Sequence, residues 1–431
     1  MKIPSFSIKA SKETLTANAG LILFGEFYEK IGFSRDIKRF LPAPGSNRGY
    51  KPDQFVYPLI LMLHTGGQHL KDLRLIAKDS GLRRLTGLTR IPDAGTTGDW
   101  LKRTGENGGL FSLAQVNRRL VEYTLRHVPK NNLTLDIDAT GIQAEKHKAY
   151  YTHKGFKGYM PILGHIAENG SIIGEEFREG NMAPATRNLE FIQYCADQLP
   201  EGKRFAHLRA DAAAYQAEIL RYCEKHDMAY AIGGKMSQTL LEEIKCIPES
   251  SWQSFIDEEG VKTSTEITTL PWTIKNRKED FRMIILRTPR IQPDLFNQER
   301  YSYHLIATNL LGGNPQAVAH WYHKRGDHSE NRIKELKQGF SMGRAPCGTI
   351  EANAAFFRIG ALAYNLYILF KQEVLDNKFL RSQMKTIRLH IYHLPGKVVS
   401  TARKFILQIP EPFVACGQRI RDRIKALTGY T

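Results

Sequence analysis

The sequence predicts a mixed α/β fold, on three observations. Apolar and polar residues alternate with a period of two at 133–139, and strand-like runs at 158–167 and 172–179 flank the turn signal Asn169-Gly170. Runs with helical spacing, such as 187–199 and 214–226, fall between further strand-like runs. The chain is 431 residues long with 42% hydrophobic and 10% aromatic residues, enough for a substantial core and about two or three domains.

The elements follow in order. Residues 1–130 read as a helical N-terminal region. FVYPLILMLHTGG and LKDLRLIAKDSGLRRL have helical spacing, IPDAGTTGDWLKR has a capped helix start, and 111–128 is an amphipathic helix carrying Arg118, Arg119 and Arg126. Short helices with basic edges suit a helix-turn-helix type DNA-binding module, and a plain helical domain fits them equally well. LTLDIDA opens a new texture at 133–139. Strands at 158–167 and 172–179 form a hairpin about Asn169-Gly170, where glycine supplies a positive φ. A helix (187–199), a strand ending at Asp211 (204–210), a helix (214–226) and a strand (229–234) complete the order β-β-β-α-β-α-β. That is the order of a ribonuclease H-like fold, a mixed five-stranded sheet with helices, with the first three strands antiparallel. The catalytic domain would therefore begin at 131–234. A β-rich insertion with Trp252 and Trp272 is expected over 235–312, helices that complete the domain over 313–376, and a basic C-terminal region over 377–431.

Lys and Arg number 61 against 44 Asp and Glu, a net charge of +17, which points to a polyanion, most commonly nucleic acid. From 371 to the end, twelve basic residues face four acidic ones, and a phosphate-contacting surface is expected there. The five cysteines stand singly with no CxxC pair, which argues against a zinc finger or a disulfide framework. The first fifteen residues hold no apolar signal core, and runs such as 57–64 are too short to span a bilayer. A cytoplasmic, non-membrane protein is expected.

Asp136 and Asp138 sit two residues apart in an otherwise apolar strand and project from one face. Buried like charges are costly unless a cation neutralises them. In the inferred sheet the strand ending at Asp211 lies beside this one, so Asp136 or Asp138 would meet Asp211 at the strand ends. Helix capping is the competing role for Asp211. A third carboxylate comes from the helical segment 320–340. Ile333, Leu336 and Phe340 form its core stripe, Glu330, Lys334 and Lys337 lie along the stripe's edge, and Glu335 is turned toward solvent. Helix geometry thus selects Glu330, with an i,i+4 pairing to Lys334 as the alternative. Three carboxylates suit Mg²⁺ or Mn²⁺, and two such ions could serve an in-line phosphodiester displacement.

DIDAT, RADAAAY, YHKRGDHSENRIKELKQGF and NAAFFRIGALAYNL resemble the DDE transposases of bacterial insertion sequences, in particular the family named for insertion sequence thirteen-eighty within the wider insertion-sequence-four-like superfamily. Tyr322, Arg325, Glu330 and Lys337 match that superfamily's signature of tyrosine, arginine, glutamate and lysine. Four residues separate Arg325 from Glu330, however, where the superfamily has three. In such families a small residue and a threonine follow the first aspartate, which selects Asp138 and leaves Asp136 as a supporting or alternative metal ligand. The resemblance implies cleavage at the ends of a mobile element and joining of the 3′-hydroxyls to target DNA. Asp138, Asp211 and Glu330 would hold two Mg²⁺ or Mn²⁺ ions. Phosphate contacts would come from Arg325, Lys334 and Lys337, and a backbone contact from Tyr322. Trp252 or Trp272 is a candidate for stacking on a flipped base, with core packing as the competing role. The implied partners are the terminal inverted repeats and target DNA, handled by a homodimer. The rivals are a nuclease that does not join strands and a DNA-binding protein that has lost catalysis.

Overall fold

The computed structural model describes residues 3–145, 149–290, 300–402 and 404–427. The chain divides into two compact units. The first comprises 1–116, 339–341 and 346–431, and the second 117–338 and 342–345.

In the first unit, β1 (Thr14–Thr16) is followed by α1 (Ala19–Lys30), α2 (Phe33–Phe40), α3 (Asp53–Thr65), α4 (Leu73–Lys78), α5 (Ser80–Thr86) and α6 (Ala94–Glu106). The capped helix start expected in IPDAGTTGDWLKR is present. Asp93 caps α6 by accepting from the Thr96 amide at 2.9 Å. The run at 70–85 is broken by Asp79, whose side chain accepts from the Leu82 amide and so starts α5 afresh. Helix α7 (Gly109–Leu125) leads into the second unit.

The second unit holds β2 (Asn132–Ala139), β3 (Ile142–Gln143), β4 (Tyr150–Tyr151), β5 (Lys157–Tyr159), β6 (Ile162–Ile166) and β7 (Ile172–Glu176). Next come α8 (Asn188–Asp197), β8 (Arg204–Ala210), α9 (Ala217–Lys225), β9 (Ala229–Gly233) and α10 (Gln238–Lys245). The strands β10 (Gln253–Ile256), β11 (Lys262–Trp272), β12 (Phe281–Pro289) and β13 (Tyr301–Thr308) precede α11 (Pro315–Arg325) and α12 (Asn331–Gly339). The five strands foreseen in the sequence lie in the order β7-β6-β2-β8-β9, with β2 antiparallel to β6 and parallel to β8. Gly170 makes the β6–β7 turn with φ 84°. The β-rich segment was expected as an interruption. Its strands instead continue the same sheet: β13 pairs antiparallel with β9, and the whole forms one nine-stranded sheet, β10-β11-β12-β13-β9-β8-β2-β6-β7.

Two apolar layers cover this sheet. Leu133, Leu135 and Ile137 of β2 face a core with Phe191, Ile219 and Leu240 of α8, α9 and α10. Ala231, Ile284 and Ile306 join Val318, Ala319 and Tyr322 of α11 in a second core. The period of two in β2 therefore sends its leucines and isoleucine to one helical layer and its aspartates to the other.

The first unit resumes with α13 (Ile350–Glu373), almost wholly buried, then α14 (Met384–Ile387), β14 (Gly396–Ser400), β15 (Phe405–Gln408) and α15 (Glu411–Ala426). Helix α13, which the sequence assigns to the completion of the catalytic region, packs here with α6 and α3. Strands β1, β14 and β15 form a small antiparallel sheet. The basic residues of α15 are partly spoken for: Arg423 meets Asp376 at 2.9 Å, and Arg421 meets Glu26 at 2.9 Å. Among the described residues, no helix is long and apolar enough to cross a membrane.

Candidate active site

The site is built at the C-terminal end of β2. Asp138 is the next-to-last residue of that strand, with its side chain 18% exposed. Asp211 follows the last residue of β8, the parallel neighbour of β2, so the two strands deliver both acids to one edge. Asp211 also accepts from the Ala213 amide at 3.0 Å and caps the short turn after β8, so capping and proximity to Asp138 hold together. Burial is the main cause that pushes the Asp138 carboxyl up to about 6. Arg325 opposes the shift, and the negative charges of Asp211 and Glu330 reinforce it. Asp138 thus feels the charge of two acids that lie far from it in sequence.

Glu330 follows Arg325 by way of a wide helical turn and is exposed at its end. Between α11 and α12 the segment Gly326–Glu330 is π-helical. A π turn admits one more residue than an α turn while the helices on either side keep their faces. This absorbs the extra residue between Arg325 and Glu330. Arg325 accordingly stays on the sheet-facing side of α11, with Nη1 3.6 Å from Asp138 Oδ2. Its guanidinium lies 5.7 Å from the centre of the Tyr322 ring, and its charge is held more firmly by Asp138, Tyr322 and Asp211 against the cost of burial. Tyr322 is 6% exposed. Its hydroxyl lies over Gly233 at the end of β9, where a Cβ would meet it at 2.9 Å and the Ala212 amide nitrogen at 3.0 Å.

Lys337 is half-buried and donates to the Gly141 carbonyl at 2.8 Å and the Thr140 hydroxyl at 3.3 Å. It holds the loop that leaves Asp138. Lys334 and Glu330 are exposed, whereas Glu335, expected to face solvent, is half-buried.

Asp136 does not share the open position of Asp138. It is fully buried, and both its oxygens accept from Arg209 of β8, each at 2.7 Å. The metal-ligand role expected of Asp136 therefore goes to a guanidinium partner. A third arm of Arg209 donates to the Trp321 carbonyl of α11 at 2.7 Å. Arg209 ties the carboxylate strand to the helix that carries Arg325. No local pattern in the sequence points to it; the parallel register of β2 and β8 sets Asp136 directly beside Arg209.

Trp252 is 8% exposed and packed in the sheet core, with the Arg287 guanidinium 4.0 Å from its ring centre. This is the core-packing role, and base stacking is closed to it here. Trp272 is half-buried and lines a surface cleft with Tyr215, Arg221 and Lys235.

From residue 3 to residue 427 the chain matches the family described as transposase DDE domain group 1. It belongs to that family. No curated protein matches the transposase. Among solved structures it is similar to a cryo-EM structure of the piggyBac transposase synaptic complex with hairpin DNA. The identity is 10%, with a TM-score of 0.44, over 88% of this chain and 82% of that one.

Membership implies a metal-dependent, DNA-cutting enzyme. Asp138, Asp211 and Glu330 offer only oxygen, the donor kind that a hard divalent cation takes. Among the described residues, no three acidic, histidine or cysteine side chains surround a common ion position.

Proposed function

We propose that this transposase cuts DNA at the ends of its own insertion sequence and joins the freed 3′-hydroxyls to target DNA, with Asp138, Asp211 and Glu330 as its acidic triad. The observation that carries this reading is the parallel pairing of β2 with β8, which delivers Asp138 and Asp211 to one sheet edge beside Arg325, with the charge of Glu330 also felt at Asp138. The strand order β7-β6-β2-β8-β9 supports a ribonuclease H-like catalytic fold.

The three carboxylates would hold two Mg²⁺ or Mn²⁺ ions, which when bound supply an activated water or hydroxyl and stabilise the leaving oxygen. The chain's own residues do the rest. Arg325, close to both Asp138 and Tyr322, balances the acidic site and offers a guanidinium to a phosphate that enters it. Lys337 fixes the Thr140–Gly141 loop, so that Asp138 is held from both sides. Arg209 neutralises Asp136 and anchors α11, which leaves Asp138 as the open acid of the strand. Two element ends must be brought together, so the working form is a homodimer on DNA.

The test uses a duplex carrying the inverted repeat that flanks the gene, with Mg²⁺, Mn²⁺ or chelator. Wild-type protein should nick the end and yield a strand-transfer product from pre-cleaved ends. Asp138→Asn, Asp211→Asn and Glu330→Gln should each lower cleavage on the order of a thousandfold or more while end binding survives. Cleavage without any joined product would make the protein a nuclease, and full activity in any one variant would remove that residue from the triad.

A further inference from the structure

The stretch AYYTHKGFKG, 149–158, holds two lysines, a histidine and no acid. It folds as part of a three-stranded sheet, β3-β5-β4, separate from the nine-stranded one. Strands β4 and β5 pair antiparallel, Tyr150 opposite Gly158 and Tyr151 opposite Lys157. The Thr152 amide and hydroxyl both donate to the Phe156 carbonyl, at 2.8 and 2.9 Å, and Gly155 turns the tip with φ 81°.

This hairpin is anchored beside the catalytic edge. Gly141 lies three residues past Asp138, and a Cβ there would sit 2.4 Å from the Phe156 ring, so that ring rests against bare backbone. Ile142 pairs with Tyr159, and Tyr159 is bridged in turn to Glu179. Lys337 grips the same loop through Gly141. The inward aromatics are thus used for packing, Tyr159 being 2% exposed. The outward ones are not: Tyr150 is 49% and Tyr151 72% exposed. Residues directly opposite in an antiparallel pair share a face, so Tyr151 stands beside Lys157. Lys154 is exposed at the tip, and its charge is felt by Lys337. Among the described residues, no carboxylate forms an ion pair with Lys154 or Lys157. An acid-free hairpin that presents an exposed tyrosine beside one lysine, with a second lysine at its tip, has the chemistry of a single-strand DNA contact, in which rings stack on bases and ammonium groups meet phosphates.

We propose that the β4–β5 hairpin holds the DNA strand next to the scissile phosphate, with Tyr151 stacked on an unpaired base and Lys154 and Lys157 on the flanking phosphates. This rests on the transposase reading given above. The probe is a pre-nicked inverted-repeat duplex with 2-aminopurine at the first unpaired nucleotide, bound in the presence of chelator so that no cleavage occurs. Wild-type protein should quench the probe. Tyr151→Ala should abolish the quenching and weaken binding about tenfold, and Tyr151→Phe should keep both. Lys154→Gln with Lys157→Gln should flatten the dependence of log affinity on log salt by about 0.7 per lost contact. Wild-type affinity, quenching and salt slope in the alanine and glutamine variants would overturn the hairpin's role, as would loss of quenching in Tyr151→Phe. Wild-type protein that fails to cut its ends in Mg²⁺ or Mn²⁺ overturns the transposition reading instead, so the two failures are told apart.

Discussion

Asp136 and Asp138 are two residues apart and share a strand face, yet their neighbours give them opposite fates. Asp136 receives two charge-assisted hydrogen bonds and no solvent, whereas Asp138 has a longer pairing and two acids nearby. Arg209→Met would leave a buried carboxylate unpaired, at an expected cost of about 3–5 kcal/mol, and adding Asp136→Leu should recover much of that loss. Urea unfolding of the single and double variants measures it, and a single-variant loss under about 1 kcal/mol would refute the pairing. Asp138 makes the opposite contribution. Its folded carboxyl is raised to about 6, above the unfolded value near 3.9, so between these pH values the native state binds more protons than the unfolded one. Its contribution to metal-free stability is therefore full below about pH 4 and lost as pH rises through about 6. Asp138→Asn should remove this fall. A difference in unfolding free energy between wild type and variant that stays constant from pH 4 to 7 would contradict it.

The π turn at Gly326–Glu330 takes up the added residue between Arg325 at the end of α11 and Glu330 before α12. Deleting Gly326 should convert it to an α turn without rotating the flanking helices, so cleavage should stay within about tenfold of wild type and helical circular dichroism should be unchanged. Complete loss of cleavage in a folded deletion variant would show that the wide turn itself sets the site. Elements with strong local signals were legible beforehand. The alternation in β2, the Asn169-Gly170 turn and the Asp93 cap each depend on residues close in sequence. The Arg209 anchor and the joining of β13 to β9 depend on register between distant strands, which no local pattern encodes. The hairpin of β4 and β5 escaped notice because its strands are only two or three residues long, too short to show alternation. Asp138 and Asp211 were readable as neighbours because both sit at the ends of adjacent strands, and Arg325 was named beforehand, whereas the pairing of Asp136 with Arg209 became clear only in three dimensions.

At the scale of the molecule, a net charge of +17 predicts DNA binding dominated by phosphate contacts. Affinity for any duplex should fall steeply with salt, by on the order of 10³-fold or more between 50 and 200 mM for six or more contacts. Fluorescence anisotropy across a salt series gives the number of contacts, and a flat series would exclude an electrostatic grip. The pairing of Arg421 and Arg423 with Glu26 and Asp376 already occupies part of this charge. One feature of the second unit limits how such a protein can change. At Gly233 the space for a single methyl group is taken by the Tyr322 hydroxyl and the Ala212 amide. Alanine there would press on the Tyr322 hydroxyl and on the amide that follows Asp211, two groups that flank the proposed site. A single added carbon at this glycine is therefore felt at once by the helix of Arg325 and by the turn after β8, which ties the spacing of those two elements to the absence of a side chain.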